Sequence, residues 1–309
     1  MRTRAAPTSI QFCLALALLC VATAAAGENR FGADRGKLLM TAGFTTIEGA
    51  GGGGLTPWAL ITGYGTERSW GANAHATGIA LRDFDYMSFG AAVGVLDRFE
   101  LSVARQTMEA SKGALDGVSL SQNILGAKLR VFGDAVYAQD SWVPQVAIGV
   151  QIKRHDGIDG GAQAGLPSLT SVTQLGAQDE DGIDYYVSAT KLSLAHSFVV
   201  DVTLRYTDAN QFGLLGFGGD VDEGASLRAE ASIAYLMRRS LAVGVEYRGR
   251  AQHLSIDQES DAWDAFVAWA PNRAISFVAG YVNLGGVLAP VTGDSSDQDG
   301  VYLSVQIGF

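Results

Sequence analysis

The chain has 309 residues, of which 48% are hydrophobic, 17% are charged and 39 are glycine. Ordinary globular chains carry about 25% charged residues, so this composition is closer to that of a membrane protein. The formal net charge of −10 argues against nucleic acid as a partner, because phosphate binding needs an excess of basic side chains.

The first 26 residues have the pattern of a secretory signal peptide. Two arginines precede an apolar stretch that ends in small residues, and we expect cleavage after Ala26. Residues 27–36 then form a short periplasmic segment. Cleavage removes two positive charges and both cysteines, so the net charge becomes −12 and no thiol remains for a disulfide or a cysteine metal site.

The remaining chain contains no apolar run long enough for a transmembrane helix, which needs about 18 residues or more. A closed β-barrel is the only other structure that satisfies its backbone hydrogen bonds inside a bilayer. The strands of such barrels are segments of about ten residues in which apolar and polar side chains alternate. We identify candidate strands at residues 37–47, 56–65, 70–80, 85–95, 98–107, 119–131, 143–153, 182–193, 197–207, 226–237, 240–250, 261–270, 274–284 and 299–309.

We therefore predict an all-β fold, a transmembrane up-and-down antiparallel β-barrel over residues 37–309 with about 14 strands and a range of roughly 12 to 16. The pattern is weakest in segments 37–47 and 70–80, where alanine and glycine blur the two faces. A soluble β-sandwich is the alternative, and it has to explain why the polar face carries so many charges.

Alternation is clearest in the second half of the chain. In segment 197–207, Asp201 and Arg205 lie on one face, and apolar or aromatic side chains occupy the other. Segments 226–237 and 240–250 repeat this division. A helix would instead place apolar residues three and four positions apart.

The connections between these segments alternate in length. With a periplasmic N-terminus, we expect short turns on the periplasmic side and long loops on the outer side. Five of the predicted turns contain four residues or fewer, and the exception is 132–142. The loop 208–225 contains the apolar stretch NQFGLLGFGGD, so we regard it and the loop 154–181 as candidates for folding into the barrel.

Aromatic side chains lie near the predicted ends of strands, where girdles mark the two membrane interfaces. We expect Trp58 and Trp263 near the outer side. The inner side is expected to hold Trp70, Trp142, Trp269, Tyr281 and Phe309.

The segment GVYLSVQIGF, residues 300–309, alternates without a break. We expect it to pair with the first strand and so remove the open edge of the sheet. Val305, Ile307 and Phe309 resemble the signal that the outer-membrane barrel-assembly machinery reads. The resemblance implies that machinery as a partner and the Gram-negative outer membrane, with its lipids and lipopolysaccharide, as the location; the oligomeric state stays open.

Four stretches of the chain resemble recurring segments of an uncharacterised family of Gram-negative outer-membrane proteins, a domain of unknown function. They are GGGLTPWALITGYGT, GAKLRVFGDAVYAQDSWVPQVAIGVQ, ANQFGLLGFGGD and DAFVAWAPNRAISFVAGYVNLG. The similarity covers roughly residues 37–309 and implies a β-barrel in the outer membrane. The family supplies no established activity or catalytic residue, so none is transferred to this chain.

Charged side chains on the polar faces are the candidates for the lumen, because a charge inside a barrel needs water or a partner. They are Lys128, Arg130, Asp184, Asp201, Arg205, Arg228, Glu230, Glu246, Arg248 and Arg250. Two arrangements satisfy these charged side chains. One is a hydrated pore lined by charges of both signs, and the other is an interior in which arginines and carboxylates pair and fill the lumen. Four of the arginines lie on three consecutive segments and form a candidate site for anionic solutes, although the neighbouring carboxylates oppose this.

Enzyme and metal motifs are weak in this sequence. Ser188 and Lys191 match S-x-x-K, but on a strand these two positions point in opposite directions. Residues 49–54 match G-x-G-x-x-G without the helix that a phosphate site requires. The four histidines are too scattered for a zinc site, and only His75 is expected inside the barrel. We therefore predict no cofactor and no metal, and interpret the acidic outer loops as solvated surface.

The sequence thus predicts an outer-membrane barrel that serves as a passive channel or transport component for small solutes. The first alternative is a filled structural or surface-interaction barrel without conductance. A barrel enzyme is the second alternative, and the absence of a Ser–His–Asn constellation among the candidate residues disfavours it.

Overall fold

The computed structural model describes residues 37, 39–41, 44–138, 141–162, 164–288 and 297–309. The predicted signal peptide at 1–26 and the segment 27–36 lie outside the described residues. Within the described residues no helix is both long and apolar enough to cross a bilayer.

In the described part of the chain, twelve antiparallel strands form one closed barrel in which each strand pairs with its neighbours in sequence. The last strand, β12, pairs with β1 over Asn73–Leu81, so the sheet has no free edge. The strands are β1 (Trp70–Leu81), β2 (Phe84–Val95), β3 (Phe99–Ala110), β4 (Ser119–Phe132), β5 (Gln145–Asp159), β6 (Asp181–Ser193), β7 (Phe198–Thr207), β8 (Ser226–Arg238), β9 (Leu241–Arg248), β10 (Ala262–Trp269), β11 (Ile275–Asn283) and β12 (Asp299–Gly308).

The all-β barrel prediction is confirmed, and twelve strands fall within the predicted range. The prediction of strands is wrong for 56–65 and for the described residues of 37–47, because the barrel begins at Trp70. Residues 44–65, which we call the plug, lie in the lumen and contain only isolated bridges at Thr45–Gly51 and Gly52–Pro57. Almost every plug residue is buried. A segment enclosed on all sides has no lipid-facing side, so alternation cannot mark it as a strand.

The strand faces follow the alternation in the sequence. In β7, the side chains of Val202 and Leu204 are 50% and 46% exposed, whereas those of Asp201, Thr203 and Arg205 are buried. The outward side chains face the lipid and the inward ones face the lumen, which is the division that a bilayer requires of a barrel strand.

The connections divide the barrel into two ends. At the turn end, strands are joined by residues 96–98, 133–144, 194–197, 239–240 and 270–274. At the loop end, they are joined by residues 82–83, 111–118, 160–180, 208–225, 249–261 and 284–298. The connections 133–144 and 82–83 are exceptions to the pattern of short turns and long loops. Loss of the two predicted strands does not exchange the two ends, because an even number of crossings was removed.

Aromatic side chains lie at both ends. Trp70 and Phe309 make an edge-to-face contact at the turn end, with ring centroids 5.2 Å apart. Trp263 packs beside Tyr281 at the loop end, with centroids 5.9 Å apart, so the prediction that placed Tyr281 on the inner side is wrong. Trp58 is also misplaced by the sequence argument, since it is buried in the plug.

A charge placed on the lipid-facing wall tests the assignment of the two faces. We expect Val202→Arg to lower the free energy of unfolding by about 2–4 kcal/mol, because Val202 lies at the middle of β7 and arginine is costly at the bilayer midplane. Urea unfolding in phospholipid vesicles, followed by tryptophan fluorescence, measures the change. Val221→Arg, in the loop 208–225, is the control and should have little effect; equal effects would contradict the assignment.

Candidate functional site

Two carboxylates of the barrel wall hold the plug by its backbone. Glu100 on β3 accepts hydrogen bonds from the N–H groups of Gly51 and Thr62, both at 2.8 Å. Glu246 on β9 accepts from the N–H of Gly54 at 2.6 Å and of Leu55 at 2.7 Å. These contacts provide partners for plug N–H groups that would otherwise be buried and unsatisfied.

The glycine run in the plug is required by this close approach. A Cβ atom at Gly53 would lie 1.8 Å from Oε1 of Glu246, and one at Gly51 would lie 2.7 Å from Oε2 of Glu100. A larger side chain at either position would push the plug off its carboxylate. The G-x-G-x-x-G match in residues 49–54 therefore reflects contact with the wall and not a nucleotide-binding loop.

Wall side chains also donate to plug carbonyl groups. Lys128 Nζ on β4 donates to the carbonyl oxygens of Gly51 at 2.7 Å and Leu60 at 2.9 Å. Gln145 on β5 donates to the carbonyl oxygen of Ala59 at 2.7 Å. The plug is thus bound from several sides by hydrogen bonds in both directions.

A cluster of six buried charges, which we call the ion cluster, joins the plug to the middle of the wall. Its members are Glu48 of the plug with Lys153, Asp184, Arg205, Glu230 and Arg248 of the wall, and each is 4% exposed or less. Three cations and three carboxylates balance one another, which a buried set of charges requires.

Glu48 is the only member that the plug contributes among the described residues. Its Oε2 lies 2.7 Å from Arg248 Nη1 and 3.5 Å from Arg205 Nη2, and its other oxygen accepts from Lys153 Nζ. The wall members are linked to each other as well, since Asp184 lies 2.7 Å from Lys153 and 3.0 Å from Arg205. Without Glu48, the wall would carry an uncompensated positive charge at this level.

The loop 208–225 enters the lumen from the opposite end and reaches the same cations. The carbonyl oxygen of Phe212 accepts from Lys153 Nζ at 2.9 Å and from Gln122 Nε2 at 3.0 Å. The Arg248 guanidinium lies 4.6 Å from the centroid of the Phe212 ring, within the range of a cation–π contact. The plug and this loop therefore meet at Lys153 and Arg248 and close the lumen together.

Gln211 ties this loop to the neighbouring loop 249–261. Its N–H donates to Glu259 at 3.0 Å, and its amide nitrogen donates to Asp257 at 3.1 Å. Arg250 approaches Glu259 at 3.3 Å. Burial raises the pKa of the Glu259 carboxyl to about 7, although the Arg250 charge opposes the rise.

The structure places most of the candidate lumen residues inside the barrel. The buried ones are Lys128, Arg130, Asp184, Asp201, Arg205, Glu230, Glu246 and Arg248. Arg228 is half-exposed near the loop end of β8 and donates to Ser226 at 3.0 Å. Arg250 lies beyond β9 in the loop 249–261, so it is not on a strand as the sequence predicted.

The arginines do not form an unopposed anion site. Arg205 and Arg248 both pair with Glu48 and Glu230, and Arg250 pairs with Glu259. Glu48, Asp184 and Glu230 cancel the positive field of Arg205 and Arg248. Asp201 and Glu246, which the sequence placed on the same faces, accept instead from Thr190 and from the plug backbone.

Three important residues were missed from the sequence. Lys153 and Glu100 lie on inward faces, and alternation with Ile152 and Leu101 was the signal that could have found them. Glu48 gave no such signal, because it lies in a segment without alternation. Its importance depends on partners that are 105 to 200 positions away.

The remaining motifs have structural roles. Ser188 donates to the carbonyl oxygen of Pro57 at 2.9 Å, while Lys191 donates to Ser141 at the turn end, so the two do not meet. His75 is buried in the lumen between Thr45 and Ser88, as expected. His155 is also buried, which the sequence argument did not predict. Among the described residues, no three His, Cys, Asp or Glu side chains group as a metal site.

Removing the charge of Glu48 tests the ion cluster. We expect Glu48→Gln to lower the free energy of unfolding by about 3–5 kcal/mol, because it leaves buried cations without their partner. Glu67→Gln is the matched control: Glu67 is 71% exposed and pairs with Arg130 at 3.4 Å, so its loss should cost less than about 1 kcal/mol. Urea unfolding of both variants measures the two changes. Similar decreases in the free energy of unfolding would show that the ion cluster contributes little to stability.

The buried Glu259 predicts a pH dependence near neutrality. The folded protein holds this proton up to a pH of about 7, whereas an ordinary glutamate loses it near 4.5. The free energy of unfolding should therefore fall as the pH rises between these two values. Glu259→Gln should reduce that slope and the exposed Glu223→Gln should not, as measured by urea unfolding at a series of pH values. An unchanged slope in Glu259→Gln would contradict the assignment.

Comparison with solved structures finds barrels of low similarity. The KdgM porin aligns with a TM-score of 0.48 and 9% identity, over 77% of this chain and 99% of that chain. The NanC porin aligns with a TM-score of 0.49 and 9% identity, over 76% and 98%. Outer membrane phospholipase A from Escherichia coli aligns with a TM-score of 0.42 and 9% identity, over 76% and 92%. Identity this low does not indicate what the chain binds or transports.

No curated protein matches the chain significantly. A family model described as "Protein of unknown function (DUF3034)" matches residues 41–306, which include the plug and nearly all of the barrel. The match confirms the resemblance that the four sequence stretches indicated. The chain belongs to this family of proteins of unknown function.

Proposed function

We propose that this protein is an outer-membrane channel for small solutes, held closed by the plug and the loop 208–225. The observation that carries the proposal is the chemistry of the contact between plug and wall. The plug is bound by hydrogen bonds and by the ion cluster, and the wall behind it is lined with charged and amide side chains.

A lumen that stays permanently filled by the plug does not need charged side chains on its wall. Replacing buried ion pairs by well-packed apolar side chains of similar volume is often neutral or stabilising. Charges on an inner wall are useful when water replaces the plug, because water then solvates them. The wall charges alone are of both signs, so a vacated lumen would be a hydrated passage. Without Glu48, three cations would face two carboxylates in the ion cluster, which leaves one excess positive charge at that level.

The size of the barrel supports a narrow passage. About eight strands leave an interior that side chains just fill, whereas porins with roughly 16–18 strands contain an open aqueous channel. Twelve strands lie between these limits. Removal of the plug would therefore leave a pore suited to small solutes.

The proposed location is the Gram-negative outer membrane, reached after cleavage near Ala26. An apolar outer wall supports this location, and on β12 it includes the exposed Val301 and Leu303. Lipids and lipopolysaccharide would then surround the wall, and the barrel-assembly machinery would recognise Val305, Ile307 and Phe309.

Depletion of the barrel-assembly machinery tests this location. We expect it to remove the protein from the outer-membrane fraction.

Single-channel recording in planar bilayers tests the channel. We expect the wild type to conduct rarely, deletion of residues 44–64 to give a stable open channel, and Glu48→Gln to open more often than the wild type. The physical reason is that each change removes part of the obstruction or of its attachment. Glu67→Gln is the control and should behave as the wild type does.

A gel-mobility shift on heating shows whether the deletion variant is folded. A folded deletion variant without conductance would overturn the channel and favour the alternative, a filled structural barrel. A further deletion of residues 212–218 separates the two obstructions, since it should raise the current only when the plug is also absent. Hydrolysis of phospholipid by the purified wild type would contradict the non-enzymatic role in this proposal.

A further inference from the structure

An apolar chamber lies at the loop end of the barrel, between the wall and the loop 160–180. Its volume is about 320 Å³. The wall side is formed by inward side chains of β2 to β5, and the roof is formed by the loop. The main lining residues are Phe84, Met108, Leu120, Ile158, Leu166 and Leu169.

The chamber begins where the polar lumen ends. Deeper in the barrel, the same strands point Gln106 and Gln122 inward, and these two amides are joined by a hydrogen bond of 2.6 Å. Two positions nearer the loop end, the inward residues become Met108 and Leu120, both buried. Neighbouring strands thus change from polar to apolar at one level, so the chamber is a distinct compartment of the lumen.

The roof is organised by its own hydrogen bonds. The side-chain oxygen of Gln174 accepts from the N–H of Thr170 at 2.8 Å and of Ser171 at 3.1 Å, and its amide nitrogen donates to Ser168 at 2.9 Å. The N–H of Ile158 donates to Thr170 at 3.0 Å and attaches the roof to β5. Because the roof is already ordered, ligand binding would lose little conformational entropy at this site.

The chemistry of the lining selects the ligand. The described lining side chains carry no formal charge, and the amide of Gln174 is already used within the roof. A water molecule needs two to four polar partners, and apolar cavities of about 150 Å³ stay dry and bind benzene. Methionine at such a surface adapts to ligands of different shape.

We infer that this chamber binds one small uncharged apolar molecule, of the size class of a monoaromatic or a short-chain hydrocarbon. Leu166, on the loop side of the lining, is 40% exposed, so the molecule would enter from the side of the long loops. The inference does not require the plug to move, and it stands whether or not the barrel conducts.

Toluene is the probe, and lipid nanodiscs are the medium, because detergent micelles would compete for it. Toluene uptake by nanodiscs with and without the full-length protein is measured by headspace gas chromatography. We expect a saturable component of one toluene per barrel above the uptake of empty nanodiscs, and no saturable component for benzoate, whose charge the chamber cannot accommodate. Absence of the toluene component would overturn the inference, and saturable benzoate would overturn its apolar selectivity.

A matched pair of variants on β4 localises the binding. Leu120→Trp fills the chamber and should abolish the saturable component, whereas Leu125→Trp faces the lipid, is 53% exposed in the wild type, and should retain it. Ala110→Phe, with Val103→Phe as its outward control, replaces the first pair if Leu120→Trp fails to fold. Binding that survives in both folded filling variants would show that toluene lies elsewhere.

Discussion

A bilayer core contains no water, so every backbone N–H and C=O group that crosses it must find a partner within the protein. In this chain the requirement is met by closing twelve strands on themselves. The pairing of β12 with β1 is the decisive step, since it removes the two edges that any open sheet would expose to lipid. The division of side chains between lipid and lumen follows from this closure.

The same requirement applies to the plug, although lipid does not touch it. An irregular segment inside a barrel has few internal partners for its backbone, and the wall must supply them. Glu100, Glu246 and Lys128 do so by direct contact with plug N–H and carbonyl groups. The glycines of residues 49–54 allow that contact because they carry no Cβ atom.

The lumen is chemically divided. Its middle is charged and balanced, with Glu48 of the plug completing the set formed by Lys153, Arg205 and Arg248. The loop end of β2 to β5 is apolar and roofed by the loop 160–180. The two compartments differ in chemistry, so the proposed channel and the proposed apolar site concern different parts of the lumen.

The position of the strands from Trp70 onward could be predicted from the sequence, as could the faces of β7, β8 and β9. Alternation is a local pattern, because lipid on one side and lumen on the other act on each strand separately. The same pattern indicated the inward charges from Lys128 to Arg248, and it held enough information to include Lys153 and Glu100.

The role of the first segments was decided only by the tertiary structure. Residues 44–65 are enclosed on all sides, so their side chains do not alternate between lipid and lumen. No strand forms over 56–65 or over the described residues of 37–47. The partners of Glu48 come from β5, β7 and β9, which barrel closure alone brings together. The sequence by itself determined that a barrel forms and which way its strands face, while the long-range packing decided what fills it.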